Sequence, residues 1–230
     1  MRLELSTEDV AAGESWITAA ERRAGLLPSP LLAVDLSTDP LVFATDEQHR
    51  FGVRRLTDGD LPDLHRWLNA PHVARWWDGR DTVQHVRADF SEATRDRLTR
   101  YWIWEVNGRS VGWAQDYRIA DHPDYALLCG SPEAIGFDYL IGEPAFLGRG
   151  IGTSLLWTYL RDIVAPAYPD ADELFAAPDH RNSASLRVLA KLGARQGLWF
   201  DEPHRPGEVI TVVGCSIDVR RVMATSVTDG

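Results

Sequence analysis

Three alternating glycines, Gly148, Gly150 and Gly152, follow an apolar segment that carries one carboxylate, Ile135-Gly-Phe-Asp138-Tyr-Leu-Ile141. Glycine lets a backbone come close to a ligand, and the unpaired N–H groups at a helix start favour phosphate. An amphipathic run, Ser154-Leu-Leu-Trp-Thr-Tyr-Leu-Arg-Asp-Ile-Val164, comes next, so a helix begins where the glycines end. An acid one strand upstream of such a turn is placed to do proton chemistry beside whatever the phosphates carry. The glycine spacing is not the dinucleotide fingerprint, whose third glycine lies further out. It is not a nucleoside triphosphate loop either, because no Lys-Ser or Lys-Thr follows the glycines.

The elements that must position this stretch can be read around it. Phe51-Gly-Val-Arg-Arg-Leu56 reads as a strand, and Thr57 or Asp58 caps a helix over Asp60–Leu68 with Leu61, Leu64, Trp67 and Leu68 on one face. After Pro71 comes His72-Val-Ala-Arg-Trp76-Trp77, closed by Asp78-Gly79, and a second helix is expected from Thr82 to about Leu98. Asn107-Gly108 joins Tyr101–Val106 to Arg109–Tyr117 as a hairpin. A polar loop is expected over Arg118–Pro132. A strand near Glu173–Ala177, a helix from Asn182 or Ser183 to Gly193 and a strand over Val209–Val219 complete the pattern. The order predicts a mixed, mostly antiparallel α/β sheet flanked by helices.

Residues 1–50 read as an extension laid on a main domain of residues 51–225. A helix capped near Thr7 and ending at Gly25 is expected, followed by a stretch that Pro28, Pro30 and Pro40 keep extended. With 230 residues and 44% hydrophobic content the chain can bury one good core. The formal charge of −10 argues against nucleic acid as a partner and suits a cationic small molecule. No run approaches membrane-spanning length, and the N-terminus lacks an apolar signal core. Cys129 and Cys215 have no metal-like spacing, so no metal is expected and a reducing cytoplasm is the default. A monomer or homodimer fits equally.

On these residues the chain resembles the GNAT superfamily of acetyl-CoA-dependent N-acyltransferases, whose turn would here be Leu147-Gly-Arg-Gly150-Ile-Gly152, over roughly residues 51–220. Within it, Leu64-His-Arg-Trp67-Leu-Asn69-x-x-His72-Val-x-x-Trp76-Trp77 and Gly112-Trp-Ala-Gln115-x-Tyr117 look like the aminoglycoside 6′-N-acetyltransferase branch. The resemblance implies Asp138 as general base, or as the acid that positions the amine. A mid-strand carboxylate flanked by Phe137 and Tyr139 fits that role, although a strand acid in a salt bridge would read the same way. It implies acetyl-CoA as co-substrate. The backbone of Tyr139, Leu140 and Ile141 would pair with the pantetheine arm, and Leu147, Gly148, Arg149, Gly150, Ile151, Gly152 and Thr153 would hold the pyrophosphate. Asn182 would contact the pantetheine, or act as a plain N-cap. Trp76 and Trp77 would floor the acceptor pocket, or pack in the core. Gln115, Asp121, Asp124, Asp201 and Glu202 are candidates to bind further ammonium or hydroxyl groups of a polycationic acceptor, an activity that would confer antibiotic resistance.

Two positions depart from the branch. Ala177 precedes Pro178 where an aspartate is usual, and Leu189 stands where many members have a tyrosine that protonates the leaving thiolate. His65-x-Trp67-x-Asn69-x-Pro71-His72-Val73 and Pro178-Asp-His-Arg-Asn182 also look like siderophore acyltransferases acting on hydroxylysine side chains. A protein that binds acyl-CoA or a polyamine as a sensor is a third reading.

Overall fold

The computed structural model describes residues 41–45, 49–95, 98–205 and 207–224. The helix expected near Thr7 and the extended stretch after it lie outside these residues. In chain order the elements are β1 (Leu41–Thr45), β2 (Arg50–Arg55), α1 (Leu61–Leu68), α2 (Pro71–Ala74), α3 (Val83–Arg95), β3 (Thr99–Val106) and β4 (Arg109–Arg118). They continue with α4 (Pro123–Cys129), β5 (Ile135–Ile141), α5 (Ile151–Tyr159), α6 (Ala165–Ala167), β6 (Glu173–Ala176), α7 (Ser183–Lys191), β7 (Arg195–Pro203), β8 (Val209–Asp218) and α8 (Val219–Ala224). The eight strands pair in the order β1-β2-β3-β4-β5-β6-β8-β7. β5 and β6 are parallel, whereas β1-β2, β2-β3, β3-β4, β6-β8 and β7-β8 are antiparallel, which is the α/β arrangement that the sequence order implies.

The chain divides into two compact units, one with residues 41–117 and 137–164, the other with 118–136 and 165–224. In the first, the apolar piece Leu41–Ala44 is strand β1, antiparallel to β2 with a bulge between Val42 and Ala44. The Asn107-Gly108 turn has positive φ at both residues, as a tight hairpin requires. A bulge between Trp104 and Glu105 then shifts the β3-β4 register, so Tyr101 faces Gln115 and Arg100 faces Asp116. Helix α1 buries Leu61, Leu64 and Trp67 against Ile103, Trp113 and Leu140.

Two glycines set the packing of this unit. The Trp67 ring lies so close over Gly142 that a Cβ there would sit inside the indole, and a Cβ on Gly112 would collide with the Leu140 carbonyl. The Trp67 indole N–H donates to Glu143 at 3.0 Å, and Arg66 and Arg109 donate to the same carboxylate at 2.5 and 2.9 Å. Burial works against the Glu143 charge, but these donors more than offset it and hold the carboxyl below its usual range. The amphipathic run expected to be helical over Ser154–Val164 is α5 followed by a π-helical turn, Leu160–Val164.

In the second unit the expected polar loop Arg118–Pro132 contains a 3₁₀ turn, Ile119–Asp121, and helix α4. Pro123 opens α4 with no N–H to lose, and Gly130 ends it at φ 69°. Strand β7 was not apparent in the sequence: its pairing with β8 is interrupted between Gln196 and Trp199. Cys129 and Cys215 are buried free thiols, and burial pushes Cys215 up to about 12.

Gly142→Ala is expected to lower unfolding free energy by about 3 kcal/mol or more, or to prevent folding, because the indole and the β5 backbone would both have to move. Gly197→Ala, whose new methyl would meet its nearest atom at an ordinary 3.8 Å, should stay within about 1 kcal/mol of wild type in the same urea titration.

Candidate active site

Strand alternation on β5 sends Asp138 to one face and its neighbours to the other. Phe137 and Tyr139 stack with centroids 6.4 Å apart, and Tyr139 also stacks on Trp104 at 5.9 Å. Asp138 instead meets β4. The Gln115 side-chain amide donates to its Oδ2 at 2.7 Å, and the Tyr117 side chain supplies a second hydrogen bond. Burial raises the Asp138 carboxyl above the usual range, and the two donors only partly counter it. Tyr101, directly across from Gln115, has its phenol raised by burial, and the Asp138 charge adds to the effect.

A cavity of about 220 Å³ opens beside Gln115 in the same unit. Leu64, Leu68 and Val86 form its apolar side, and Trp77, Phe90, Tyr101 and Trp113 form an aromatic wall. Trp77 meets Trp113 edge-on at 5.4 Å, and Tyr101 stacks on Trp113 at 6.1 Å. Asp78 and Asp89 stand at this cavity with Arg80, whose guanidinium donates to both. Trp76 does not line it; that ring is half-buried with the Arg75 guanidinium 5.9 Å from its centroid. Sequence reading missed Tyr101, Trp113 and Tyr117, although counting in twos from Gln115 would have put Trp113 and Tyr117 on its face.

The glycine turn belongs to the same unit. Gly148 and Gly150 have φ of 70° and 82°, a left-handed conformation that L side chains rarely adopt, and nothing lies within 4 Å of a Cβ built on either. Gly150 is the N-cap of α5 and brings no capping side chain; its carbonyl accepts from the Thr153 and Ser154 amides at 3.0 and 3.3 Å, so it is the N–H groups of Ile151 and Gly152 that no side chain caps. Arg149 and Leu147 are exposed, Ile151 and Thr153 are buried, and a Cβ built on Gly152 would meet the Ile141 side chain at an ordinary 3.7 Å. This arrangement fits a phosphate-bearing ligand. His72 bonds the Ile141 carbonyl at 3.0 Å, and Leu140 is buried.

The remaining candidates lie in the second unit. Asn182 caps α7 by accepting from the Ser185 amide at 3.1 Å. Asp121 and Asp124 are exposed, Asp201 accepts from the Thr211 hydroxyl at 2.7 Å, and Glu202 is half-buried. Near Ala177, Asp179 is buried and accepts from the Arg181 backbone and guanidinium at 2.6–2.9 Å; Arg181 holds it below the usual range. Leu189 is 1% exposed, a core residue. Among the described residues no group of three or more His, Cys, Asp or Glu is placed to hold a metal ion, and no helix is long and apolar enough to cross a membrane.

A desolvated carboxyl beside an aromatic cavity, on a sheet whose next helix starts in a glycine turn with no capping side chain, fits an acyl-CoA-dependent N-acyltransferase. The chain belongs to the GNAT acetyltransferases: the acetyltransferase (GNAT) domain family matches residues 57–201. Aminoglycoside N(6′)-acetyltransferase type 1 of Klebsiella pneumoniae is 30% identical over 162 residues, spanning 66% of this chain and 78% of that one. Lysine N-acyltransferase MbtK of Mycobacterium tuberculosis is 25% identical over 156 residues, 68% and 73% of the two chains. Among solved structures, AAC(6′)-Ib with ribostamycin and coenzyme A shares the fold at a TM-score of 0.66 and 22% identity, over 78% of this chain and 99% of that one. Spermidine N-acetyltransferase of Vibrio cholerae with coenzyme A and spermine does so at 0.58 and 16%, over 75% and 97%.

Asp138 should reveal itself in stability as well as in rate. Its carboxyl is raised in the folded chain, so the stability it contributes is complete below about pH 4 and is lost as pH rises through the folded value. At neutral pH Asp138→Asn should therefore raise the melting temperature while lowering kcat by about a hundredfold or more. A melting temperature that falls at pH 7 and stays unchanged at pH 3.5 would contradict the desolvation account.

Proposed function

We propose that this enzyme moves an acetyl group from acetyl-CoA to a primary amine of a polycationic small molecule, in the manner of the aminoglycoside 6′-N-acetyltransferases. The observation that carries the reading is the aromatic cavity opening on Gln115, whose amide is bonded to Asp138. A flat aromatic wall suits a sugar face or an alkylammonium and attracts its charge. The cavity has room for one ring or one short chain, so the rest of a larger acceptor extends outside. Asp78 and Asp89 add carboxylates where further ammonium groups would lie. Aminoglycosides are the acceptors that the reading favours, with antibiotic resistance as the consequence and the cytoplasm as the setting for two free thiols.

Acetyl-CoA supplies the activated acetyl thioester. Its phosphates would be held by the Gly148–Thr153 turn and its pantetheine arm by the β5 backbone at Tyr139–Ile141. An ammonium entering the cavity gives its proton to Asp138, whose raised carboxyl brings base strength closer to neutrality. Gln115 and Tyr117 hold the carboxyl in one orientation and stabilise its charge during the transfer. The aromatic wall keeps water away from the freed amine.

Acylation of a lysine-derived amine is the second reading. It is favoured by the absent acid at Ala177 together with Asp179, whose oxygens are already committed to Arg181. Thiol release from acetyl-CoA, measured against kanamycin, spermidine and N6-hydroxylysine, separates the two. Turnover with kanamycin is the expected result; release only with hydroxylysine, or only with longer acyl-CoAs, favours the second reading. Trp77→Ala should raise the KM for the amine roughly tenfold and leave that for acetyl-CoA within twofold. The rate should fall as pH drops through the raised Asp138 value, and an acid limb as low as an ordinary carboxylate's would rule out Asp138 as the base.

A further inference from the structure

Asp116 lies between Gln115 and Tyr117, the two residues that bond Asp138, but points to the opposite face of β4. It has no exposed surface, a rare situation for a carboxylate. Arg100, its cross-strand partner, donates from Nε at 2.5 Å, the Trp102 indole at 2.7 Å and the Tyr159 hydroxyl at 2.6 Å. Tyr159 is the last residue of α5. Its ring also packs edge-on against Trp102 and Trp104, at 6.3 and 5.6 Å.

Helix α5 is thus tied to the sheet at its far end. Ile151 and Thr153 are buried at its start, and Tyr159 is bonded to Asp116 at its finish. Between them, about 10 Å of helix carries the position of one end to the other. We infer that Asp116 is a positioning residue that, through Tyr159, sets where the α5 N-terminus holds the coenzyme A phosphates relative to the Asp138 carboxyl. The inference rests on the proposed role of the glycine turn. A carboxylate is suited to this work because three donors converge on it and each charge-assisted bond is short and directional. A small displacement of the phosphate end would move the thioester away from the amine, and errors of about 1 Å can cost about a hundredfold in rate.

Tyr159→Phe removes one hydroxyl and keeps the ring. It is expected to weaken coenzyme A binding roughly tenfold by calorimetry and to lower kcat, with the KM for the amine within twofold of wild type. Asp116→Asn should act in the same direction, and if it does not fold, Tyr159→Phe carries the test. Trp102→Phe takes a bond from the same carboxyl without releasing the Tyr159 hydroxyl, so its coenzyme A affinity should stay within twofold. Unchanged coenzyme A affinity in folded Tyr159→Phe, or an equal loss in Trp102→Phe, overturns the inference. Gly150→Val separates the premise from the conclusion. If it leaves coenzyme A affinity unchanged, the phosphate turn itself fails; if it alone weakens binding, only the coupling through Asp116 fails.

Discussion

The contact between Trp67 and Gly142 governs this site. A fully buried indole rests on a backbone that has no side chain to hold it off, and its N–H is bonded to the next residue, Glu143. Helix α1 cannot slide along β5 without breaking that fit. The end of β5 is fixed further by His72 on the Ile141 carbonyl and by the close approach of Gly112 to Leu140. Asp138 lies before this fixed point and the glycine turn after it, so both inherit its position. Close packing of this kind resists gradual deformation, because a core relieves strain in steps.

Strand β4 serves two faces with one run of three residues. Gln115 and Tyr117 lower the cost of a charge that burial disfavours, whereas Asp116 gathers three donors on the other side and is tied to α5. The first carboxyl has two side-chain hydrogen bonds from neutral groups; the second has a guanidinium among its donors. The surroundings differ as well, for Asp116 is fully buried whereas Asp138 is half-buried.

Much of this was readable from the chain. The glycine turn, Asp138 and the Asn107-Gly108 hairpin follow from local chemistry, which acts within a few residues. What escaped depends on events at a distance. The bulge at Trp104 and Glu105 moves the register by one residue and so brings Tyr101 opposite Gln115; no residue type there announces it. Trp76 and Trp77 are neighbours in sequence but only Trp77 reaches the cavity, because adjacent positions in a short turn point apart. Helix α4 is seven residues long, too short for a 3.6-residue period to show, and β7 carries a mid-strand glycine and a broken register. No local signal marks Asp116, since its partners come from β3 and α5.

The two cysteines have a chemical consequence of their own. A thioester acylates any accessible thiolate as readily as an amine, so an enzyme that handles one is exposed to modification by its own reagent. Here both sulfurs are buried, and Cys215 would need strongly alkaline conditions to ionise. The chain can therefore stand in a pool of acetyl-CoA without trans-thioesterification at its sulfurs, and the acetyl group is left for the amine.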